Sequence, residues 1–436
     1  MCFSVLTILF LVGVITLICY ISGVNVWKRN IQQNFPPGPR PLPLIGNLHI
    51  MNLKRPHKTL CKLSEKYGSV FSIQMGMKKM VILTGYETVK EALVSHADVF
   101  EERAIIPVFE DVAKGHGIIF SHGETWKVMR KFTMKTLRDF GMGKRTIEDK
   151  IIEECGFLIN HFESFHGTPF DTLMSITLPV ANIIASILQG YRFDYNDPVL
   201  RRLIHLNDKA DRLLGSPMVS EKDNPNTYFN EDNLVNLVQN LLGAGMGTTS
   251  TTIRWSLLIM MKYPKIQEKV QEEIERVIGS SQPRAEHWKL MPYTNAVIHE
   301  VQRFANIVPM NLPHETTRDI NFKGYFLPKG TFIVPLLESV LRDKTYFENP
   351  EEFKPQHFLD SGGKFVRKDA FMPFSAGRRV CAGETLAKME LFLFFISLLQ
   401  KFTICLPPGV TDVDLMPAIG LATRPMPHLI CALPRS

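Results

Sequence analysis

Hydrophobic positions run without a charge through the first 27 residues, and FSVLTILFLVGVITLICYISGV (3–24) is apolar for about the ~20 residues that a bilayer crossing needs. A cleaved signal peptide would have a basic start and a shorter apolar run. The pattern therefore predicts an uncleaved transmembrane helix within residues 1–27. Lys28, Arg29 and Arg40 follow, which by the positive-inside rule places the rest of the chain on the cytosolic side. Residues 28–47 read as a linker. NFPPGPRPLPLIGN (34–47) holds five prolines, each with a fixed φ and no amide donor, and so forms a stiff spacer or a ligand for proline-binding domains.

Residues 48–436 read as the folded part. SVFSIQMGMKKMVILTG (69–85) alternates as two strands about a turn, and YETVKEALVSH after it has helical spacing. From about 100 to 305 the pattern is mostly helical. YFLPKGTFIVPLL (325–337) returns to strand character with Pro-Lys-Gly as the turn, and KMELFLFFISLLQKF (388–402) is a strongly apolar helix. The fold class is mainly α with small β-sheets.

The helix predicted over 230–262 opens on acids, as a helix should, yet holds Gly243, Gly245 and Gly247 at its centre, followed by five hydroxyl residues, Thr248 to Thr252. Each such glycine costs ~1 kcal/mol against alanine. Two uses would repay that: close helix–helix packing, or a groove in which a flat ligand meets the backbone. The pattern leaves both open.

At 436 residues, 45% hydrophobic and 21% charged, the chain is built to fold rather than to remain disordered. The seven cysteines form no CxxC pair, which excludes a disulfide framework or zinc ribbon and suits reduced thiols, six of them read as buried small hydrophobes. A net charge of +7 comes without an aromatic–basic module, so nucleic acid is not an expected partner.

The seventh cysteine, Cys381, lies in FSAGRRVCAGE (374–384). Gly377 and Gly383 allow a tight turn that points amides at the sulfur. The helix that starts near Glu384 offers its positive end to an anion, and Arg379 could bind a carboxylate bidentately. Such a thiolate suits the iron of a haem, whose propionates would take the arginine. FSAGRRVCAG fits FxxGxRxCxG, the signature of the cytochromes P-450, which the chain resembles over essentially its whole length. The resemblance continues in order: Trp126 and Arg130 as WxxxR, AGMGTTS (244–250) as the oxygen-binding helix, Glu300 and Arg303 as ExxR, and FKPQHF (353–358) as the PxxF segment. The proline-rich linker and PHETTRD (313–319) resemble the vertebrate microsomal branch.

The resemblance implies a cytochrome P-450 fold and haem b, with Cys381 as axial ligand, Thr248 assisting oxygen activation, and Phe374, Ala244 and Gly383 beside the cofactor. Arg103, Trp126, Arg130, His314 and Arg379 match positions that contact propionates; Glu300, Arg303 and His357 match a buried structural network. Ile105, Ile106, Val108, Phe109, Ile307, Val308, Leu312, Ile419 and Leu421 fall on the expected wall of a substrate cavity, and their apolar character suggests a lipophilic substrate. With no GxGxxG unit for a bound flavin or nicotinamide, electrons must arrive from outside. NADPH-cytochrome reductase, or cytochrome b5, would dock on the basic run that includes Lys127, Lys131, Lys135 and Arg138. The implied location is the endoplasmic reticulum membrane.

Two features depart from the family pattern. Gly247 stands where an acid is expected before the threonine. The 122 positions from Trp126 to Thr248 also fall short by roughly fifty to sixty of what the resemblance implies. RLLGSPMVS (212–220) resembles the start of one cavity-roofing helix and EKDNPNTYFNEDNL (221–234) the loop before the glycine-rich helix, so the join near 220/221 reads as an internal deletion. The expected activity is monooxygenation. The rivals are a non-catalytic protein of this fold that occupies the reductase, and peroxide-driven or isomerase chemistry, which needs no outside electrons.

Overall fold

Strand and helix signals translate into elements through the computed structural model, which describes residues 10–17, 34–213, 231–418, 420 and 422–435. Of the apolar stretch 3–24, residues 10–17 are helical and the rest lies outside the described residues, as does the join near 220/221. Among the described residues no helix is long and apolar enough to cross a membrane.

The helices are α1 (Pro56–Tyr67), α2 (Tyr86–Lys90, continued by a π-type turn), α3 (Pro107–Ala113), α4 (Gly123–Asp139), α5 (Arg145–Glu163) and α6 (Thr172–Leu188). Then come α7 (Pro198–Leu213), α8 (Glu231–Lys262), α9 (Pro264–Val277), α10 (Pro292–Ala305), α11 (Leu337–Leu341) and α12 (Glu384–Lys401). Proline occupies the first turn of α1, α3, α9 and α10, where its missing amide costs nothing.

The chain forms two units. One holds the described residues through Ala104 with Met310–Val340 and Ser375–Arg379. Its main sheet has the order β1 (Val70–Met75), β2 (Lys78–Leu83), β8 (Phe332–Pro335), β5 (His314–Glu315) and β3 (Glu102–Arg103). The β1–β2 hairpin is as predicted, with Gly76 at φ +58° in the turn. The strands of YFLPKGTFIVPLL do not pair with each other. Tyr325–Leu327 is β7 and pairs with β6 (Ile320–Phe322), while β8 runs parallel to β2. Both are short, and a strand pairs wherever its buried face finds a partner, which spacing alone does not reveal.

The other unit comprises Ile105–Pro309, Leu341–Phe374 and Val380–Ser436. Its core is helical: α8 packs against α6, α9, α10 and α12, and α5 against α6 and α12. A three-stranded sheet, β4 (Phe170–Asp171), β12 (Leu429–Pro434) and β9 (Phe402–Cys405), closes one edge, and β10 (Pro417–Ala418) pairs with β11 (Arg424–Pro425). A Cβ on Gly245 would lie 2.7 Å from Cδ1 of Ile184. At that glycine helix packing is therefore the use, since the Ile184 side chain of α6 fills the space a Cβ would take.

Candidate functional site

The segment around Cys381 is shaped by its own backbone. The Cys381 amide donates to the Phe374 carbonyl at 3.1 Å, and Gly377–Arg379 makes one 3₁₀ turn. Gly377 has φ +73°, and a Cβ there would fall 1.8 Å from the Leu93 carbonyl oxygen. Gly383 differs: its φ is −92° and a Cβ would meet the Cys381 sulfur at an ordinary 4.0 Å. Of the two glycines, Gly377 is the one the turn demands. Gly377→Ala is expected to destabilise the protein by about 2 kcal/mol or more, through backbone strain and the clash; a denaturant midpoint unchanged from wild type would contradict this.

Cys381 is accessible, whereas Cys155 and Cys431 are buried and Cys61 and Cys405 half-buried. The expectation of six buried cysteines thus holds for two of the described ones. Despite that access, crowding by protein is the largest influence on the Cys381 thiol and pushes its pKa up; the Gly383 and Glu384 amides and the Arg130 charge pull it down, and the Glu384 carboxylate raises it. Arg130 donates to the Val380 carbonyl at 2.6 Å, and Ala382 packs beside Ile118, Met129 and Leu237. Elements α4 and α8 therefore meet the cysteine segment. Trp126, one turn before Arg130, is buried. Phe374 is half-buried, with the Lys388 ammonium 5.7 Å from its ring centre.

On α8, Ala244 is exposed and Thr248 half-buried one turn later, on the same face. The Thr248 hydroxyl donates to the Ala244 carbonyl at 2.7 Å, and Ser250, Thr252 and Ser256 likewise bond back to Met246, Thr248 and Thr252. With its proton engaged, the Thr248 oxygen keeps lone pairs to accept a hydrogen bond from a ligand or water.

Arg103, His314 and Arg379 belong to the first unit. Burial pushes the His314 pKa well below the usual value, reinforced by Arg103 and Arg379. The neutral ring donates from Nδ1 to the Phe100 carbonyl at 2.5 Å, which leaves Nε2 to accept from Arg103 Nη1 at 2.8 Å. Arg103 also donates to Leu312 O at 3.0 Å. Arg379 is buried, donates to Glu101 O at 2.8 Å and lies 3.4 Å from the Glu102 carboxylate.

Glu300 and Arg303 on α10 are fully buried and paired at two points, both 2.7 Å. Arg303 donates further to the carbonyls of Leu341, Pro350 and Glu352, while Glu300 accepts the Lys354 amide and lies 3.2 Å from His357 Nδ1. The other His357 nitrogen faces Glu348 O at 2.6 Å. Spacing suggested the pair; the three carbonyls come from segments far along the chain that no local pattern points to.

Of the expected cavity residues, Ile105 is exposed, and Ile106, Ile307, Val308 and Leu312 are half-buried. Phe109 stacks on Phe120 at 3.9 Å, and Ile307 packs on the main core. Ile419 and Leu421 lie outside the described residues. Lys127, Lys131, Lys135 and Arg138 are all exposed along one stripe of α4, opposite buried Met129, Thr133 and Leu137. Two residues that sequence reading missed are Asn233 and Asn240 on α8. Their side-chain oxygens accept the amides of Gly117, and of Ile118 and Ile119, and so fix that loop. Asn233 and Asn240 stand seven apart, on one face of the helix, and that spacing was the available signal.

Among the described residues no group of three or more His, Cys, Asp or Glu could hold a metal ion. The family model described as "Cytochrome P450" matches residues 36–220 and 207–432. The chain is 48% identical to cytochrome P450 2K1 of Oncorhynchus mykiss over 92% of each chain, 46% identical to cytochrome P450 2K6 of Danio rerio over 91% and 90%, and 42% identical to cytochrome P450 2F2 of Mus musculus over 91% and 93%.

Proposed function

The chain belongs to the cytochrome P450 family of haem-dependent monooxygenases, and from that premise we propose that Cys381 ligates the haem iron and that the protein inserts one oxygen atom from O2 into a lipophilic substrate: a xenobiotic, fatty acid or steroid. One observation carries the reading: Cys381 is accessible, and the Gly383 and Glu384 amides and Arg130 all favour its anionic form. When bound, haem supplies the oxygen chemistry, and an axial thiolate favours O–O cleavage. Arg103, Arg130 and Arg379 match two propionates in charge, with Trp126 beside Arg130 in sequence; neutral His314 holds Arg103 rather than adding a fourth cation. Ala244 leaves α8 open, and Thr248 accepts a hydrogen bond from oxygen or water. Gly247 offers it no acid.

The exposed stripe Lys127, Lys131, Lys135 and Arg138 suits an acidic donor, NADPH-cytochrome reductase or cytochrome b5, and the apolar N-terminus suits an anchor in the endoplasmic reticulum membrane with the catalytic domain in the cytosol. A deletion near 220/221 is supported by the family match, which falls in two segments overlapping at 207–220, and by an alignment to the trout relative of 462 positions. That is longer than the 436-residue chain of which it covers only 92%, so it opens gaps in this chain. The deletion favours a second reading, a haem protein with impaired turnover, and Gly247 favours peroxide-driven or isomerase chemistry. NADPH-dependent oxygen uptake by the full chain with added reductase tests the assignment. Uptake that rises with a lipophilic substrate is expected; turnover with peroxide alone, or none, would shift it to one of the rivals.

A further inference from the structure

Strands β9 and β12 bring two cysteines together that lie far apart in the chain. Their antiparallel register sets Cys405 directly opposite Cys431. Residues opposed in this way share a face of the sheet. Phe402, Ile404, Ile430 and Ala432 alternate with the pair and belong to the main core, so both sulfurs lie on the other face. Leu429 and Leu433, two residues either side of Cys431, are exposed there. Cys431 is buried and Cys405 half-buried; neither is bridged, and the Cys405 thiol donates to the Cys431 carbonyl at 3.7 Å.

The Arg435 amide donates to the Lys401 carbonyl at 2.9 Å, which makes Arg435 and Lys401 a hydrogen-bonded pair in the same register. Such pairs alternate along an antiparallel ladder, so Cys431 and Cys405 form another, with Cα atoms about 5.5 Å apart. A disulfide spans roughly 4.4–6.8 Å between Cα atoms, so the bond can form without moving either strand away. Opposed Cβ atoms stand about 4.5–5.5 Å apart, against about 3.8 Å in an ordinary disulfide. Closing that gap strains the bond, and strained disulfides are the easily reduced ones. The outer edge of β9 is held by α9: Gln267 accepts the Ile404 amide at 2.7 Å and donates to the Ile404 carbonyl at 2.9 Å, and Gln271 donates to the Phe402 carbonyl at 3.0 Å. Folding thus fixes the two thiols opposite each other.

We propose that Cys405 and Cys431 are a modification site, a thiol pair that a peroxide converts to a reversible cross-strand disulfide. Cys405, the more accessible of the two, reacts first. Its sulfur takes one oxygen as the O–O bond of hydrogen peroxide breaks, which gives a sulfenic acid and water. The Cys431 sulfur then displaces the hydroxyl, which leaves as water with the thiol proton as the S–S bond forms. Two electrons pass from the thiols to the peroxide; a dithiol returns them with two protons and is itself oxidised to a disulfide. Burial raises the pKa of both thiols, and Cys431 raises that of Cys405 further, as two neighbouring sulfurs would. Protonated thiols react slowly, so the pair rests reduced. The site does not depend on the reading of Cys381.

The full-length protein, treated with hydrogen peroxide and then alkylated with iodoacetamide in denaturant, is digested with a protease that cuts at aspartate. Asp412 and Asp414 lie between the two cysteines, so their peptides separate unless the bond joins them. Mass spectrometry should find the joined pair, lighter by two hydrogen atoms than its members together and lost after dithiothreitol. Cys431→Ser should stop at the sulfenic acid on Cys405, captured by dimedone, and Cys405→Ser should leave Cys431 alkylated. A haem would also consume peroxide, so the Cys381→Ser protein is treated alongside and should give the same joined peptides, which separates this site from the proposed function. Both cysteines recovered alkylated in the two proteins, or Cys405 joined to a different cysteine, would overturn the proposal.

Discussion

Cys381→Ser is expected to lose the haem-thiolate absorption completely, with the carbon monoxide difference spectrum of the reduced protein showing no band at the thiolate position. A serine hydroxyl stays protonated where a thiol can be stripped of its proton, so the Gly383 and Glu384 amides and Arg130 would face a neutral oxygen. The fold should survive the change. Cys381 is accessible rather than part of the core, and its structural bond, amide to Phe374 carbonyl, belongs to the backbone. Far-UV circular dichroism should therefore match wild type while the pigment disappears, and the denaturant midpoint should fall only by what bound haem contributes. Should the serine variant keep the wild-type spectrum, Cys381 is not the ligand and the proposed function loses its carrying observation.

Arg303→Ala acts by the opposite route. Removing one partner of a buried ion pair leaves the other charge uncompensated and costs about 3–5 kcal/mol. Here Glu300 would be stranded at 0% exposure, and the carbonyls of Leu341, Pro350 and Glu352 would each lose a donor. Against a typical stability of about 5–15 kcal/mol, much of the protein would fail to fold, and any pigment would be lost together with the secondary structure. Arg303→Lys keeps the charge but not the planar fork, so it should recover only part of the loss. Guanidinium unfolding separates the cases: a midpoint for Arg303→Ala within about 1 kcal/mol of wild type would show the pair to be a surface-like contact of little weight.

The helix over 230–262, the β1–β2 hairpin and the apolar helix after Cys381 could be read from residue spacing because their patterns are local. A turn of helix or one hairpin is set by neighbours within a few residues. For the same reason Glu300 and Arg303 could be matched three apart, and Lys127, Lys131, Lys135 and Arg138 placed on one stripe. The partners of Tyr325–Leu327 and Phe332–Pro335 could not be read, nor could the three carbonyls around Arg303. Those contacts join segments far apart in the chain, and many arrangements satisfy the same apolar pattern.

What the sequence alone determined is the family and the set of chemical groups: one cysteine between glycines beside arginines, and a threonine preceded by glycine. The tertiary structure decided what state those groups are in. Gly245 serves packing because Ile184 reaches it, and His314 is neutral because it is buried beside Arg103. Protonation and close approach depend on dielectric surroundings and on atoms brought from elsewhere in the chain, and these exist only once the chain has folded.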